Sequence, residues 1–512
     1  MAFSRPAFLR IRRRSIGLSG LLFIGTVLAI RCAQAENSLD VEDCVRLTLE
    51  KNFVVRYNRL EQDKSKEAIR DRQGAYDPAL GISYARGRDE TLDYADGSIS
   101  ETDKTTRGAV SITGQMAFGT QYEFSISNED TRTELSASDY RENTPVASIQ
   151  VLQPLLKGGV VNEARTAVHV SKKELEIEYW RFRSVVTDTI MEVIEAYADL
   201  YFASQQLEIA INNRDLAAQL LRENQKRVTL GSQAESDIIL AESRSSQRQE
   251  AVFQAELNLH YQENRLKQLI SDEMLGLLES DLKVGELPSL PDRHPVVSDD
   301  FPLALQENPL FQMAQLGIGI RELLLLQKKH NLLPTLDLVL RYDTFGAGSN
   351  ASTAWDSLKD RNGENWYGGL QFSIPITNRS NRAQRAIANI QLRQYEIELD
   401  RIQQAVLLQL DNAAFRLKSN WERMQASRHN RELAERSLEA ESKKMNAGRS
   451  TSFFVLDQQQ RVADARLQEI RSRVDYFKSL LAYQKENGTL LAQYSVALPG
   501  TERAKNNQPT KS

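Results

Sequence analysis

The chain has 512 residues and a formal net charge of −4, so it offers no basic field of the kind that attracts nucleic acid. Its mean hydropathy is −0.47. Beyond the N-terminus no apolar run approaches the ~18–20 residues of a membrane helix, which excludes a helical multi-pass transporter.

The N-terminus is basic in "MAFSRPAFLRIRRRS", apolar from Ile16 to Ile30, and closes on the small-residue exit Ala33 to Ala35. That order predicts a secretory signal peptide over residues 1–35. After cleavage only Cys44 remains, so no intrachain disulfide is available to the exported chain.

The mature sequence divides into two copies of one unit. Asn52 pairs with Asn308 and Pro78 with Pro334 at a common offset of 256, and Leu80 and Ile82 then fall on Leu336 and Leu338. The first repeat is placed at 36–273 and the second at 302–492, joined by a linker at 274–301 and followed by a disordered polar tail at 493–512. Each repeat opens with a helix, at 39–73 and at 303–332, which a proline ends before an alternating strand.

Strands are expected at about 79–153 in the first repeat and 335–376 in the second. Val110, Ile112, Tyr122, Phe124 and Ile126 alternate with polar residues, as do Leu370, Phe372 and Ile374. Such segments suit a transmembrane barrel with lipid outside and water inside; they also suit a sandwich with one solvated face. The hairpin at 107–128 has no counterpart in the second repeat, and fits either extra barrel strands or a loop. Four to six strands cannot close a wide barrel, and open edges are not tolerated in lipid. Several copies must therefore share one.

Each repeat then carries a long helical pattern, at about 160–273 and 380–492. Its apolar positions are Phe182, Val186, Ile190, Val193, Tyr197, Tyr201 and Ile402, Val406, Leu410, Ala413, Leu417, Trp421. Steps of 4, 4, 3, 4, 4 make an 11-residue repeat, which favours straight or slightly right-handed packing. Gly231 and Gly448 interrupt these runs and are assigned to the tips of two helical hairpins, with Ser232 or Ser236, and Ser450 or Ser452, capping the returning helices.

Enzymatic patterns are missing. His169, His260, His294, His330 and His429 are scattered without metal spacing. No Walker loop, C-x-x-C, G-x-S-x-G or H-E-x-x-H occurs. The sequence predicts no enzyme, no metal site and no cofactor.

The duplicated Asn-led helix with its prolines, the "QPLLKGG" that leaves a strand, and the paired tips resemble the outer membrane efflux protein family of TolC-like outer membrane factors. The resemblance covers about Leu39 to Leu491. It implies a mainly α protein built from a duplicated unit of long antiparallel helical hairpins, forming an α-barrel tunnel, plus strands given to a shared trimeric β-barrel. It further implies a homotrimer in the cell outer membrane, serving efflux or type I secretion with a periplasmic adaptor (a membrane fusion protein) and an inner-membrane pump. By the same resemblance, Leu230, Gly231, Ser232, Ala447, Gly448 and Arg449 are adaptor-docking tips, and Asp237 and Asp457 fall on gate positions. Phe453 and Phe454 offer an apolar constriction. Met445 and Ser450 replace the tyrosine and arginine that complete the family's closing links. A second reading from another class is a periplasmic coiled-coil scaffold or adaptor without a pore, which leaves the lipid-type strands unexplained.

Overall fold

The structure is a computed structural model that describes residues 39–92, 99–135, 139–230, 235–273, 275–276, 281–288, 295–447 and 449–498. The expected signal peptide at 1–35 lies outside these residues.

The chain opens with two helices where one was expected. α1 (Val41–Lys51) is capped by Asp40, whose carboxylate accepts from the Val41 N–H at 2.8 Å. At Asn52 the backbone turns extended (φ −61°, ψ 128°) and α2 (Phe53–Gln73) begins. The break has a local cause: an Asn carbonyl competes for backbone donors, and here it accepts from the N–H groups of Val54 and Val55. The second half repeats the arrangement. α5 (Val297–Glu307) and α6 (Pro309–His330) meet at Asn308, which caps Phe311 N at 3.0 Å.

Six antiparallel strands form one sheet in chain order: β1 (Ala79–Leu92), β2 (Ile99–Gln115), β3 (Gln121–Leu135), β4 (Asp139–Pro154), β5 (Thr335–Phe345) and β6 (Gly363–Ser373). The hairpin left open by its sequence thus contributes two full strands, longer at both ends than 107–128. Its turn is fixed to the helical part: Gly119 sits at φ +86°, where an added Cβ would lie 2.1 Å from the Gly158 carbonyl oxygen, and Asn162 donates to the Ala117 carbonyl at 2.9 Å. Only glycine fits that crossing. A short helix, α7 (Ala351–Lys359), lies between β5 and β6.

Two helical hairpins follow the strands. α3 (Glu163–Thr229) returns as α4 (Glu235–Ile270), and α8 (Arg379–Asn446) as α9 (Ser452–Glu486). At ~1.5 Å per residue, α3 and α8 are each about 100 Å long. α3 carries α2 and α4 on one side and α6 and α9 on the other, and α8 lies beyond α6 and α9. The order of staves is therefore α2 with α4, then α3, then α6 with α9, then α8.

The 11-residue pattern is the core. Phe182, Val186, Ile190, Val193 and Tyr197 are buried with Leu266, Leu481 and the α1 residues Val41 and Cys44; Val406, Leu410, Ala413 and Leu417 are buried with Tyr476, Leu480 and Tyr483. Both clusters lie midway along the long helices, where the hairpins meet α1 and α5. Two expected boundaries shift for the same reason. Leu287, inside the 274–301 stretch read as linker, is buried in this core, and α5 already starts at Val297. A last turn, α10 (Leu490–Gln493), leads to Val496 and Leu498, which pack on the core, so the polar tail cannot begin at 493.

Candidate functional site

Direct cross-strand partners present their side chains on the same face of an antiparallel sheet, so the register sorts the residues. One row runs Leu80, Ile112, Phe124, Ile149, Tyr342, Trp366, and the next Ile82, Val110, Ile126, Ala147, Thr344, Glu364. On the helical side the same face continues through Tyr122, Val151, Leu338, Leu340, Leu370 and Phe372. These side chains are open to the surroundings: Ile82 is 76% exposed, Trp366 81% and Leu370 67%. The opposite face carries Ser83, Ser111, Thr113, Glu123, Ser125, Ser148, Gln150, Arg341 and Asp343 along the same strands. There Ser148 donates to Asp343 at 2.5 Å and Arg341 to the same carboxylate at 2.9 Å. A continuous apolar patch of this extent marks a contact surface for lipid or protein.

The apolar band is diagonal. It covers Leu80 to Tyr84 on β1 but lies nearer the helical side on β5 and β6, from Leu336 and Phe372. That is the offset expected of strands tilted against a membrane normal. Beyond the band, away from the helices, β1 to β4 become charged: Lys104 pairs with Glu134 at 2.6 Å, Arg132 with Asp139 at 2.7 Å and Arg141 with Asp130 at 2.8 Å. β1 and β6 are the edge strands of the sheet, and among the described residues neither has a strand on its outer side.

The outermost staves expose apolar stripes as well. On α2 and α4 these are Phe53, Tyr57, Leu60, Phe253, Leu257 and Tyr261; on α8 they are Ile387, Ile390, Ile397, Leu408 and Phe415, the last 72% exposed.

At the far end of the hairpins, Leu230 is 81% exposed and forms the turn that ends α3, and Ala447 does the same for α8. Gly231, Ser232 and Gly448 lie outside the described residues, as does the side chain of Asp237; Arg449 is exposed. Thr451, not Ser450 or Ser452, occupies the N-cap of α9. Ser450 instead donates to the Glu441 carboxylate on the preceding helix, closing the tip across nine residues. The Ser450 hydroxyl and then Lys444 hold that carboxyl below its ordinary range.

Asp457 accepts from Arg461 one turn on at 2.9 Å. Phe453 and Phe454 stack edge to face with centroids 5.6 Å apart, both about half exposed. The guanidinium of Arg244, on α4, lies 4.7 Å from the Phe453 ring centroid, within cation–π range. This contact ties the two returning helices together near the tips. Sequence reasoning missed Arg244, because nothing local in "AESRSSQ" marks a partner more than 200 residues away. Among the described residues no group of His, Cys, Asp and Glu is placed to hold a metal.

The structure joins a sheet with one exposed apolar face to long helical hairpins, and among the described residues no helix is long and apolar enough to cross a membrane. Residues 301–484 match the family model of outer membrane efflux proteins. The fold agrees with several solved channels. The Campylobacter jejuni CmeC outer membrane channel matches with a TM-score of 0.64 at 13% identity, covering 91% of this chain and 88% of that one. The Vibrio cholerae outer membrane protein VceC gives 0.63 at 12%, covering 88% and 96%. The open state of the Neisseria gonorrhoeae MtrE outer membrane channel gives 0.61 at 13%, covering 88% and 89%. No curated protein matches the chain by sequence.

Proposed function

We propose that the protein is the outer-membrane exit duct of a tripartite export system, assembled from three copies. The observation that carries this reading is the exposed apolar sheet face, ended by two unpaired strands. In lipid both edges must be paired, and the six strands of one chain leave β1 of one copy antiparallel to β6 of the next. The apolar stripes on α2 with α4, and on α8, occupy the corresponding flanks of the helical part. A head-to-tail contact of this kind closes into a ring.

The two parts of the chain subtend matching arcs. Four staves at 8–10 Å spacing span about 32–40 Å. Six strands ~4.8 Å apart, tilted by ~40°, span roughly 38 Å of circumference. A ring of these units therefore runs from helical tunnel to β-barrel without a change of radius. Three copies bring 3 × 6 = 18 strands, a size at which barrels leave an aqueous channel. The family resemblance implies two strands per repeat, so the β2–β3 hairpin is what widens this barrel to match its tunnel.

The ~100 Å helices are suited to crossing a periplasm, and they carry the tips to where an adaptor and an inner-membrane pump would meet them. Leu230, Gly231, Ser232, Ala447, Gly448 and Arg449 are the proposed docking residues. Asp237, Asp457, Phe453 and Phe454 are the proposed entrance, with Arg244 added as its brace. Conduction is passive and involves no covalent step. A periplasmic scaffold would have no use for the apolar sheet face. Reconstitution in planar bilayers tests the reading: purified protein should insert from detergent and conduct ions, and a protein that extracts in buffer and never conducts overturns it.

A further inference from the structure

Four cations stand side by side on the outward face of the sheet. The register pairs Arg88 with Lys104, Lys104 with Arg132, and Arg132 with Arg141, so one row crosses β1 to β4 on the face that carries Leu80, Ile82, Phe124 and Ile149. Like charges directly opposite on neighbouring strands are destabilising, and a sheet needing only internal pairs would alternate their signs.

Each cation of the row has a carboxylate neighbour, and Arg132 has two, Asp139 and Glu134. Glu90 pairs with Arg88, Glu134 with Lys104, Asp139 with Arg132 and Asp130 with Arg141, while Arg86 adds a fifth cation one row below. Arg88, Arg132 and Arg141 keep more than half of their side-chain surface exposed, and exposed ion pairs of this type contribute only ~0–1 kcal/mol each. Guanidinium groups held this way remain available to a stronger, multivalent anion.

Height identifies that anion. Arg88 is four residues beyond Tyr84, and Arg132 six beyond Ile126. At ~3.4 Å per residue and a tilt of ~40°, the row stands about 10–15 Å above the apolar band. That is past the thin polar zone of a phospholipid leaflet, only ~5–7 Å deep, and within reach of a saccharide head group. Beneath the row, β2 to β5 enclose a shallow apolar depression of about 340 Å³ whose outward lining includes Ile112, Phe124, Ala147, Ile149 and Tyr342, a surface suited to an acyl chain.

We infer that Arg88, Lys104, Arg132 and Arg141 form a binding site for the phosphorylated sugar head group of an outer-leaflet glycolipid, with its acyl chains on the depression below. The inference rests on the outer-membrane reading, and the test separates the two. The full-length protein, purified in detergent, is titrated with lipopolysaccharide, with the same material enzymatically dephosphorylated, and with inorganic phosphate.

The phosphorylated form is expected to bind at least ten times more tightly than the dephosphorylated one, a comparison that needs no variant, and millimolar inorganic phosphate is expected not to displace it. The Lys104→Gln/Arg132→Gln/Arg141→Gln variant should lose at least tenfold in affinity while keeping wild-type conductance, and the charge-keeping Lys104→Arg/Arg132→Lys/Arg141→Lys variant should bind normally. Equal affinity for both lipid forms, unchanged binding by the glutamine variant, or full displacement by inorganic phosphate would overturn the site while leaving the channel intact. A wild-type protein that fails to insert and conduct would overturn both.

Discussion

The side-chain amide of Asn52 donates to the backbone carbonyl of Leu269 at 2.9 Å, across 217 residues of sequence. Leu269 lies in the last turn of α4, where carbonyls have no helical partner, and the same Asn caps the start of α2. One buried side chain therefore splices two shorter helices end to end along α3. The second half makes the joint differently: Gly488, at φ +78° after α9, packs against Glu307 just before the capping Asn308.

Asn52→Ala should lower stability by about 1–2 kcal/mol, from the lost cap and the orphaned Leu269 carbonyl. Asn52→Asp keeps the cap but not the donation, and should fall between the two. Thermal melts of the detergent-purified protein check both. An Asp variant equal to wild type would mean that the splice to Leu269 contributes nothing.

The two faces of the sheet should respond oppositely to charge. Phe124→Lys places an ammonium group in the middle of the apolar band and should cost roughly 2–4 kcal/mol near the bilayer midplane, seen as reduced insertion. Ser125→Lys, one residue away on the polar face, should insert normally and alter ion selectivity in planar bilayers. Equal tolerance of both would remove the assignment of faces.

Near the tips, Phe453→Ala removes both the ring that Arg244 covers and half of the Phe453–Phe454 stack. Single-channel conductance of the resting protein should rise. Arg244→Ala should raise it less, because the two rings remain. Asp457→Asn should change cation block. A conductance unmoved by all three would place the entrance elsewhere.

Burial raises the Glu486 carboxyl above its ordinary range, with Asp188 adding to the rise and Lys485 opposing it. The folded protein then holds this proton more tightly than the unfolded chain. The ionised carboxylate is thus a cost at neutral pH, and the cost fades as pH falls through the carboxylate range. Glu486→Gln should accordingly melt higher than wild type at pH 7 and equally at about pH 4. A variant that melts lower at pH 7 would reverse the sign.

Much of this was legible in the sequence because periodicity reports burial directly. The steps of 4 and 3 from Phe182 to Tyr197 and from Val406 to Leu417 mark the residues that are buried, and the alternation around Phe124 marks the outward face. At Asn52 the capping of Val54 and Val55 is local, but the splice to Leu269 was not legible, since that carbonyl is supplied by another helix. Nor was the full reach of β2 and β3: beyond Gly108 the alternation dissolves into charge, and only the backbone register, from Arg107 with Glu129 to Glu101 with Leu135, shows the strands continuing. Arg244 and the cation row became visible only once the register was known.

If identical chains close both edges at once, electron cryo-microscopy of the detergent-purified protein will show a threefold ring with 18 strands around a hollow axis that continues into a twelve-stave helical tunnel. A single chain with a free β1 edge, or a ring whose barrel leaves β2 and β3 outside the wall, would contradict it.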